Sequence, residues 1–181
     1  MAREIIGQAC GIVVIIYAIL SPHIPKRWMI LLLATVGNLF AAANQLLVGS
    51  GLTACFACLV ATINCPISAY KAKKDIPTKK WENILWGALY ILAWAAGFGI
   101  GIANGTASAL DLMTLGSTIF FIGHVLSEKE KNMRLFYLGN NAIFMVYDLI
   151  NLNITALAKG FSFVSTLIAI YRFKDMQKTE K

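Results

Sequence analysis

Residues 29–48 (MILLLATVGNLFAAANQLLV) form a run of twenty residues without a charged side chain, long enough as a helix to cross a hydrocarbon layer of about 30 Å. Near the middle of the run, the amide of Asn38 would lack partners in lipid, so it should face protein or a water-filled cavity. The small Gly37 beside it would let another helix come close. A second Gly-Asn pair, Gly139-Asn140, follows 102 residues later in another apolar stretch. The chain is therefore expected to be built around two related membrane helices.

The composition indicates the same class of protein. Apolar residues make up 58% of the chain and charged residues only 14%, against about 25% charged residues in an average soluble domain. A soluble protein this apolar would have too little polar surface to cover itself, so the sequence predicts an all-α integral membrane protein whose main partner is the lipid bilayer. The net charge of +7 does not predict a nucleic-acid partner, because the cations lie in short gaps between apolar stretches.

Seven apolar stretches are separated by prolines, glycines and charged segments, and together they predict a single transmembrane domain over residues 1–181. The predicted spans are residues 5–20, 29–48, 52–70, 81–102, 109–126, 135–152 and 155–173, followed by a tail at 174–181. The turn at 49–51 is so short that the second and third spans should pack antiparallel. The first stretch lacks a small-residue cleavage site and is followed by Pro22, Pro25 and cations, so it is interpreted as a helix rather than a signal peptide.

The basic residues set the expected orientation. With seven spans, all but two of the 16 Lys and Arg residues fall on one side, in the connections 1–2, 3–4 and 5–6 and in the C-terminal tail. Arg3 and Lys159 are the two that fall on the other side. The positive-inside rule then predicts that the N-terminus lies outside and the C-terminus in the cytoplasm.

A shift of 102 positions brings matching residues into register. Six residues align with identical ones: Leu33, Gly37, Asn38, Leu47, Thr53 and Ala54 with Leu135, Gly139, Asn140, Leu149, Thr155 and Ala156. The pattern predicts two parallel three-helix repeats joined by a linker helix (3+1+3). Repeat one covers about 5–70, the linker about 81–102 and repeat two about 109–173. One intervening span gives both repeats the same orientation in the membrane.

Several motifs resemble a known family. They are GN-x5-NQLLVGSGLTA at 37–54, YDLINLNITA at 147–156 and the terminal Tyr171-Arg172-Phe173. In these motifs the chain resembles the bacterial inner membrane protein family YgjV, which is distantly similar to the SWEET, SemiSWEET and PnuC transporters. The resemblance implies location in the bacterial inner membrane and a three-helix unit repeated around a linker. The chain has Pro22-His23 where SWEET-type units have Pro-Gln, and it lacks the paired tryptophans of PnuC-type proteins in span six. The resemblance therefore does not imply a sugar or a vitamin as the substrate of this chain.

Polar residues at mid-membrane depth are the candidates for solute binding. A carrier of this plan needs a few hydrogen-bonding groups at the interface between its repeats. The candidates are Asn38, Asn140, Asn64, Gln45 and Asp148. Asn44 and Gln45 align with Val146 and Tyr147, so the two repeats differ where a specific solute could bind. The alternative is that these amides only join helices through hydrogen bonds.

Ionisable residues near the outer ends of the last three spans are candidates for a gate or an ion pair. They are Asp111, Asp148 and Lys159. The functional hypothesis is an ion site or gate at the mouth of a cavity. The alternative is a structural ion pair, or side chains that reach interfacial water. His124, near the inner end of span five, is either a proton relay or a hydrogen-bonded interfacial histidine.

No arrangement of residues in the sequence indicates an enzyme or a cofactor. Cys55-x-x-Cys58 lacks the second ligand pair that a zinc site needs, and no nucleotide-binding glycine loop or catalytic triad is recognisable. The preferred hypothesis is a carrier-like transporter of a small polar solute that rocks one three-helix unit against the other. The alternative is a non-transporting membrane subunit or scaffold. A water-filled cavity lined by Asn38, Asn140 and Asn64 would favour the carrier, and a dry interior the scaffold. The sequence leaves homo-oligomerisation open.

Overall fold

The structure, a computed structural model, describes residues 2–48, 52–150 and 155–179, and within these it consists of helices and their connections. The seven α-helices are α1 (Ala2–Leu20), α2 (Arg27–Val48), α3 (Leu52–Lys73), α4 (Lys80–Ala103), α5 (Asp111–Leu126), α6 (Glu130–Ile150) and α7 (Thr155–Thr179). A 3-10 turn, Ser21–His23, follows α1. The prediction of an all-α protein with seven helices is confirmed.

Helix ends differ from the predicted span ends by a few residues. The largest shift is at α7, which ends at Thr179 rather than near 173. α6 begins at Glu130 rather than near 135, because Met133 and Arg134 are buried and extend the packed part of the helix. At the start of α5, the carboxylate of Asp111 accepts a hydrogen bond from the main-chain N–H of Ser108 at 2.8 Å. The predicted turn at 49–51 and the end of the sixth span at 151–152 lie outside the described residues.

Within the described residues, five helical segments are long and apolar enough to cross a membrane, so the chain is a multi-pass membrane protein. They are Ala2–His23, Arg27–Val48, Leu52–Lys73, Lys80–Ala103 and Ala156–Phe173. Large apolar side chains on their outer faces are exposed, such as Ile84 on α4 at 72%, as expected for contact with lipid. α5 is apolar but has only 16 residues, and α6 carries a polar buried face. That α5 and α6 also cross the membrane stays a prediction.

Six of the helices form a ring. In the first trio (α1, α2, α3), α2 packs between α1 and α3, and in the second trio (α5, α6, α7), α6 packs between α5 and α7. The trios meet at two seams, where α1 contacts α7 and α3 contacts α5. α4 lies outside the ring against α3 and α5. The ring therefore encloses a space between the two trios.

Gly37 and Gly139 allow close packing within the trios. A Cβ atom on Gly37 would collide with the ring of Tyr17 on α1, and one on Gly139 would collide with the ring of Phe120 on α5. The expected close approach at Gly37 thus comes from an aromatic ring rather than from a helix backbone.

The apolar core occupies one half of the bundle. Its members include Leu31, Ala34, Cys65, Tyr90 and Met133, all of which lie toward the end that carries the basic connections. We call this end the basic face and the other end the opposite face. The packed half therefore lies at the basic face, and the cavities described below open into the other half.

Candidate functional site

A cavity of about 70 Å³ lies in the ring between the two trios. Side chains from all six ring helices line it, and the polar ones are Asn38, Asn44, Gln45, Thr118, Asn140, Asp148 and Lys159. Tyr17 and Tyr137 bound the cavity toward the basic face. We call it the central cavity. Its volume corresponds to roughly two water molecules at about 30 Å³ each.

Asn38 and Asn140 both line the central cavity, one from each trio, and each is held by a hydrogen bond. The Nδ2 atom of Asn38 donates to the carbonyl oxygen of Ala34 at 2.7 Å. The Oδ1 atom of Asn140 accepts a hydrogen bond from the hydroxyl of Ser117 on α5. The two amides are therefore oriented differently: Asn38 retains its Oδ1 oxygen, and Asn140 retains its Nδ2 donors, for other partners.

Asp148 and Lys159 bring opposite charges to the same cavity. Asp148 is 1% exposed, whereas Lys159 is half-buried. The Nζ atom of Lys159 lies 5.1 Å from the centroid of the Phe144 ring, a cation–π contact. The cavity thus combines four amide side chains with an acid and a base. The predicted ion pair between Lys159 and an acid stays a prediction.

Asp111 lies in a second, more open cavity nearer the opposite face. This vestibule has a volume of about 430 Å³ and is lined by Arg3, Thr53, Asn104 and Asp111 among others. Asp111 accepts hydrogen bonds from the Ser108 main-chain N–H at 2.8 Å and from the Tyr147 hydroxyl at 3.0 Å. Its carboxylate is therefore engaged away from Asp148 and Lys159.

Gln45 lines both the vestibule and the central cavity, so it lies at their junction. The preceding Asn44 is 1% exposed, and its Nδ2 atom donates to the main-chain oxygen of Gly7 at 2.8 Å. Tyr147 of the second trio aligns with Gln45 in the sequence shift of 102 positions, and its hydroxyl donates to Asp111 at 3.0 Å. The two trios thus differ in chemistry at this level.

Asn64 does not line the central cavity. It is fully buried, its Nδ2 atom lies 3.4 Å from the hydroxyl of Tyr90 on α4, and its Oδ1 atom accepts a hydrogen bond from Ser68 at 2.9 Å. These contacts place it between α3 and α4, outside the ring. Of the five predicted solute-binding residues, the structure therefore brings together Asn38, Asn140, Gln45 and Asp148.

An aromatic and polar cluster lies below the cavity, toward the basic face. The rings of Tyr17 and Tyr137 meet edge to face at 6.4 Å between centroids, and His124 lies 4.9 Å from Tyr137. His124 is 2% exposed, and its Nδ1 atom lies 2.9 Å from the carbonyl oxygen of Met133. The histidine is therefore buried in the bundle and hydrogen-bonded near the inner end of α5, and its role as a proton relay stays a prediction.

Two arginines join the trios at the basic face, an arrangement we call the arginine clasp. From the second trio, Arg134 donates through Nε to the carbonyl oxygen of Pro22 and through Nη2 to that of Ile24, both at 3.1 Å. From the first trio, the Nε atom of Arg27 donates to the carbonyl oxygen of Ser127 at 2.9 Å. Each arginine thus binds the connection between the first two helices of the other trio.

A further contact closes the α1–α7 seam beside the clasp. The hydroxyl of Ser165 on α7 donates to the carbonyl oxygen of Ile19 at 2.9 Å and lies 2.9 Å from the Nε2 atom of His23. With the apolar core, these contacts close the bundle at the basic face.

No family model, curated protein or solved structure matches this chain. The functional residues that the sequence did not indicate are therefore identified by their contacts in the structure alone. Arg27 and Arg134 were counted only as orientation signals, although both join the trios. Tyr17 and Tyr137 carried no signal beyond their aromatic character. Ser117 is one of several hydroxyl-bearing residues on α5, so the sequence did not distinguish it as the partner of Asn140.

Proposed function

We propose that this membrane protein is a carrier of a small polar solute that works by rocking the first trio against the second. The observation that carries the proposal is that Asn38 and Asn140 line one cavity between the trios. Unpaired amides there would be costly, so they favour a solute, or water, that completes their hydrogen bonds. The binding residues proposed are Asn38, Asn140, Gln45 and Asp148.

The contacts between helices support a 3+1+3 plan of two parallel repeats. The α1–α7 and α3–α5 seams would exchange under a rotation that superposes the first trio on the second. The Gly37–Tyr17 and Gly139–Phe120 contacts would exchange in the same way. We propose on this basis, together with the sequence motifs, that the chain is related to the YgjV family and has a SWEET-like plan.

The different closure of the two ends supports alternating access. The arginine clasp and the apolar core close the basic face, whereas the vestibule and the central cavity lie in the other half. In a rocking carrier, this state would expose the site to the opposite face. With the basic face in the cytoplasm of a bacterial inner membrane, as the positive-inside rule predicts, the site faces outward.

Asp111, Asp148 and Lys159 have separate parts in this proposal. Asp148 and Lys159 act at the site itself, since both line the central cavity. Asp111 acts at the entrance, where its bond to Tyr147 joins α5 to α6 next to Gln45. Of the three candidates, the hypothesis of a gate is thus retained for Asp111, and we add Tyr147, whose hydroxyl bonds to it.

The packing of the basic half favours a second candidate function, a non-transporting subunit or scaffold. A cavity of about 70 Å³ is small, and Asn64 serves helix packing rather than the cavity. In that case Asn38 and Asn140 would stabilise the ring, and no solute would be needed.

A screen of solutes by thermal unfolding of the purified protein tests the carrier against the scaffold. Asn140→Leu should abolish stabilisation by any solute that stabilises the wild type. The neighbouring Asn141 is the matched control, because its Nδ2 atom donates to the Ser162 hydroxyl at 2.8 Å away from the cavity. Asn141→Leu should lower the unfolding temperature but keep the solute response. Equal solute responses in both variants would contradict the carrier proposal.

A further inference from the structure

We propose that the central cavity binds a small zwitterion, with its cationic group toward Asp148 and its anionic group toward Lys159. The inference rests on the proposed carrier function and names the class of solute. It depends on the charges in the cavity, its hydrogen-bonding pattern and its size.

The charges of the cavity favour a ligand that carries both signs. Asp148 and Lys159 line it together, so its lining brings one acid and one base. A ligand with one charge would meet an opposite charge on one side and a like charge on the other. Because the site is largely withdrawn from water, the contact with the like charge would weaken binding. The ammonium of Lys159 contacts the Phe144 ring, which leaves its hydrogen-bond donors available for an anionic group.

The two amides offer hydrogen-bonding groups of opposite polarity to a ligand in the cavity. Asn38 already donates to Ala34, so its Oδ1 oxygen is available to accept from an ammonium group. Asn140 already accepts from Ser117, so its Nδ2 group is available to donate to a carboxylate. One trio thus offers an acceptor and the other a donor. A buried site of this kind rejects ligands that leave its polar groups unpaired.

The size of the cavity limits the ligand to a few non-hydrogen atoms. A volume of about 70 Å³ holds roughly two water molecules. Aromatic side chains of Tyr17, Phe121, Tyr137 and Phe144 form much of the wall and prevent easy widening. A ligand on the scale of glycine fits these limits, and a hexose or a nucleoside does not.

Four probes of five non-hydrogen atoms each separate the charge classes. They are glycine (zwitterion), glycinamide at a pH where it is protonated (cation), glycolate (anion) and glycolamide (neutral). Each is titrated against the purified wild-type protein, with the shift in unfolding temperature as the readout. Glycine should bind at least about tenfold more tightly than any of the other three. Equal or stronger binding of any of the others would overturn the proposal, and so would the failure of all four.

Two variants test the placement of the charges. Lys159→Met should reduce the glycine response and raise the response to glycinamide, since only the acid remains. Asp148→Asn should shift the preference toward glycolate. Unchanged preferences would overturn the assignment of the groups to Asp148 and Lys159. The wild-type comparison decides the ligand class by itself, even where a variant does not fold.

The zwitterion and carrier proposals fail separately. If glycolamide binds as well as glycine, the class of ligand is wrong, but a carrier of polar solutes remains. A second outcome is that none of the four probes binds, but another solute stabilises the wild type. If Asn140→Leu removes that stabilisation and Asn141→Leu keeps it, only the zwitterion proposal is rejected. If the responses of these two variants are equal, the carrier proposal falls.

Discussion

Arg134 on α6 donates a hydrogen bond to the main-chain oxygen of Pro22, a residue 112 positions earlier, at 3.1 Å. The bond connects the two trios across the basic face, and Arg27 makes a matching bond in the other direction. Because both acceptors are main-chain carbonyls in the connections between α-helices, a small displacement of either trio would break the bonds without disturbing an α-helix. The clasp is therefore suited to a closure that opens and re-forms.

Weakening the clasp should expose the central cavity to the basic face. Cys58 lines that cavity and serves as the reporter in a chain where Cys10, Cys55 and Cys65 are replaced by Ala. In that background, Arg134→Gln should raise the rate at which a membrane-impermeant maleimide labels Cys58 from the basic face several-fold. Arg3→Gln is the control, because Arg3 bonds to Leu46 within the first trio. A rate that stays the same in Arg134→Gln, or rises equally in the control, would contradict a gating role.

The topology can be read by labelling two exposed positions. Asp75 lies in the connection between α3 and α4, and Asn104 follows α4. In inside-out and right-side-out vesicles, cysteine at position 75 should react only from the cytoplasmic side and cysteine at position 104 only from outside. Reaction of both from the same side would show that α4 does not cross the membrane.

Gly37→Ala and Gly139→Ala should each destabilise the protein. The added methyl groups would meet the rings of Tyr17 and Phe120, and overpacking of this kind costs about 1–3 kcal/mol. Gly99 on α4 has open space around its Cα, so Gly99→Ala should be neutral or slightly stabilising. The free energy of unfolding in mixed micelles provides the measurement. Losses at Gly99 as large as at Gly37 would show that contact with the aromatic rings does not decide the effect.

Lys159 should be coupled to Asp148 and not to Asp111. Lys159→Ala should destabilise the protein because Asp148 then loses a nearby compensating charge, and Asp148→Ala should restore part of the loss in the double variant. Residues that share such an environment have coupling energies of about 0.5–3 kcal/mol. In a double-mutant cycle of Lys159→Ala with Asp111→Ala, the losses in free energy of unfolding should add within a few tenths of a kcal/mol. The reason is that Asp111 bonds to Tyr147 and Ser108 in the vestibule. Additive losses for Asp148 would show that the two charges act independently.

The helices could be predicted from sequence, since apolar length and loop charge determine them directly. The depth of polar residues could be predicted as well, and it placed Asn38 and Asn140 on one level. The direction in which each polar side chain points around its helix axis could not be predicted from its depth. Asn64 illustrates this, since it shares a helix face with Ser68 and points to α4 rather than into the ring.

The arginine clasp could not be predicted for a different reason. Arg27 and Arg134 sit in segments whose cations equally serve membrane orientation, and their partners are carbonyl oxygens 100 to 112 residues away along the chain. Every residue has a main-chain carbonyl, so the sequence does not indicate which of them accepts a hydrogen bond from an arginine. Only the packing of the trios brings them within reach of the guanidinium groups.

The position of α4 makes the two seams unequal in a bilayer. α4 covers the α3–α5 seam, whereas no helix among the described residues packs over the α1–α7 seam, which therefore faces the acyl chains. Any widening of that uncovered seam displaces lipid and works against the lateral pressure of the hydrocarbon. In the proposed carrier, membrane thickness and acyl-chain packing would then act on the balance between its two states, with the lipid itself as an effector.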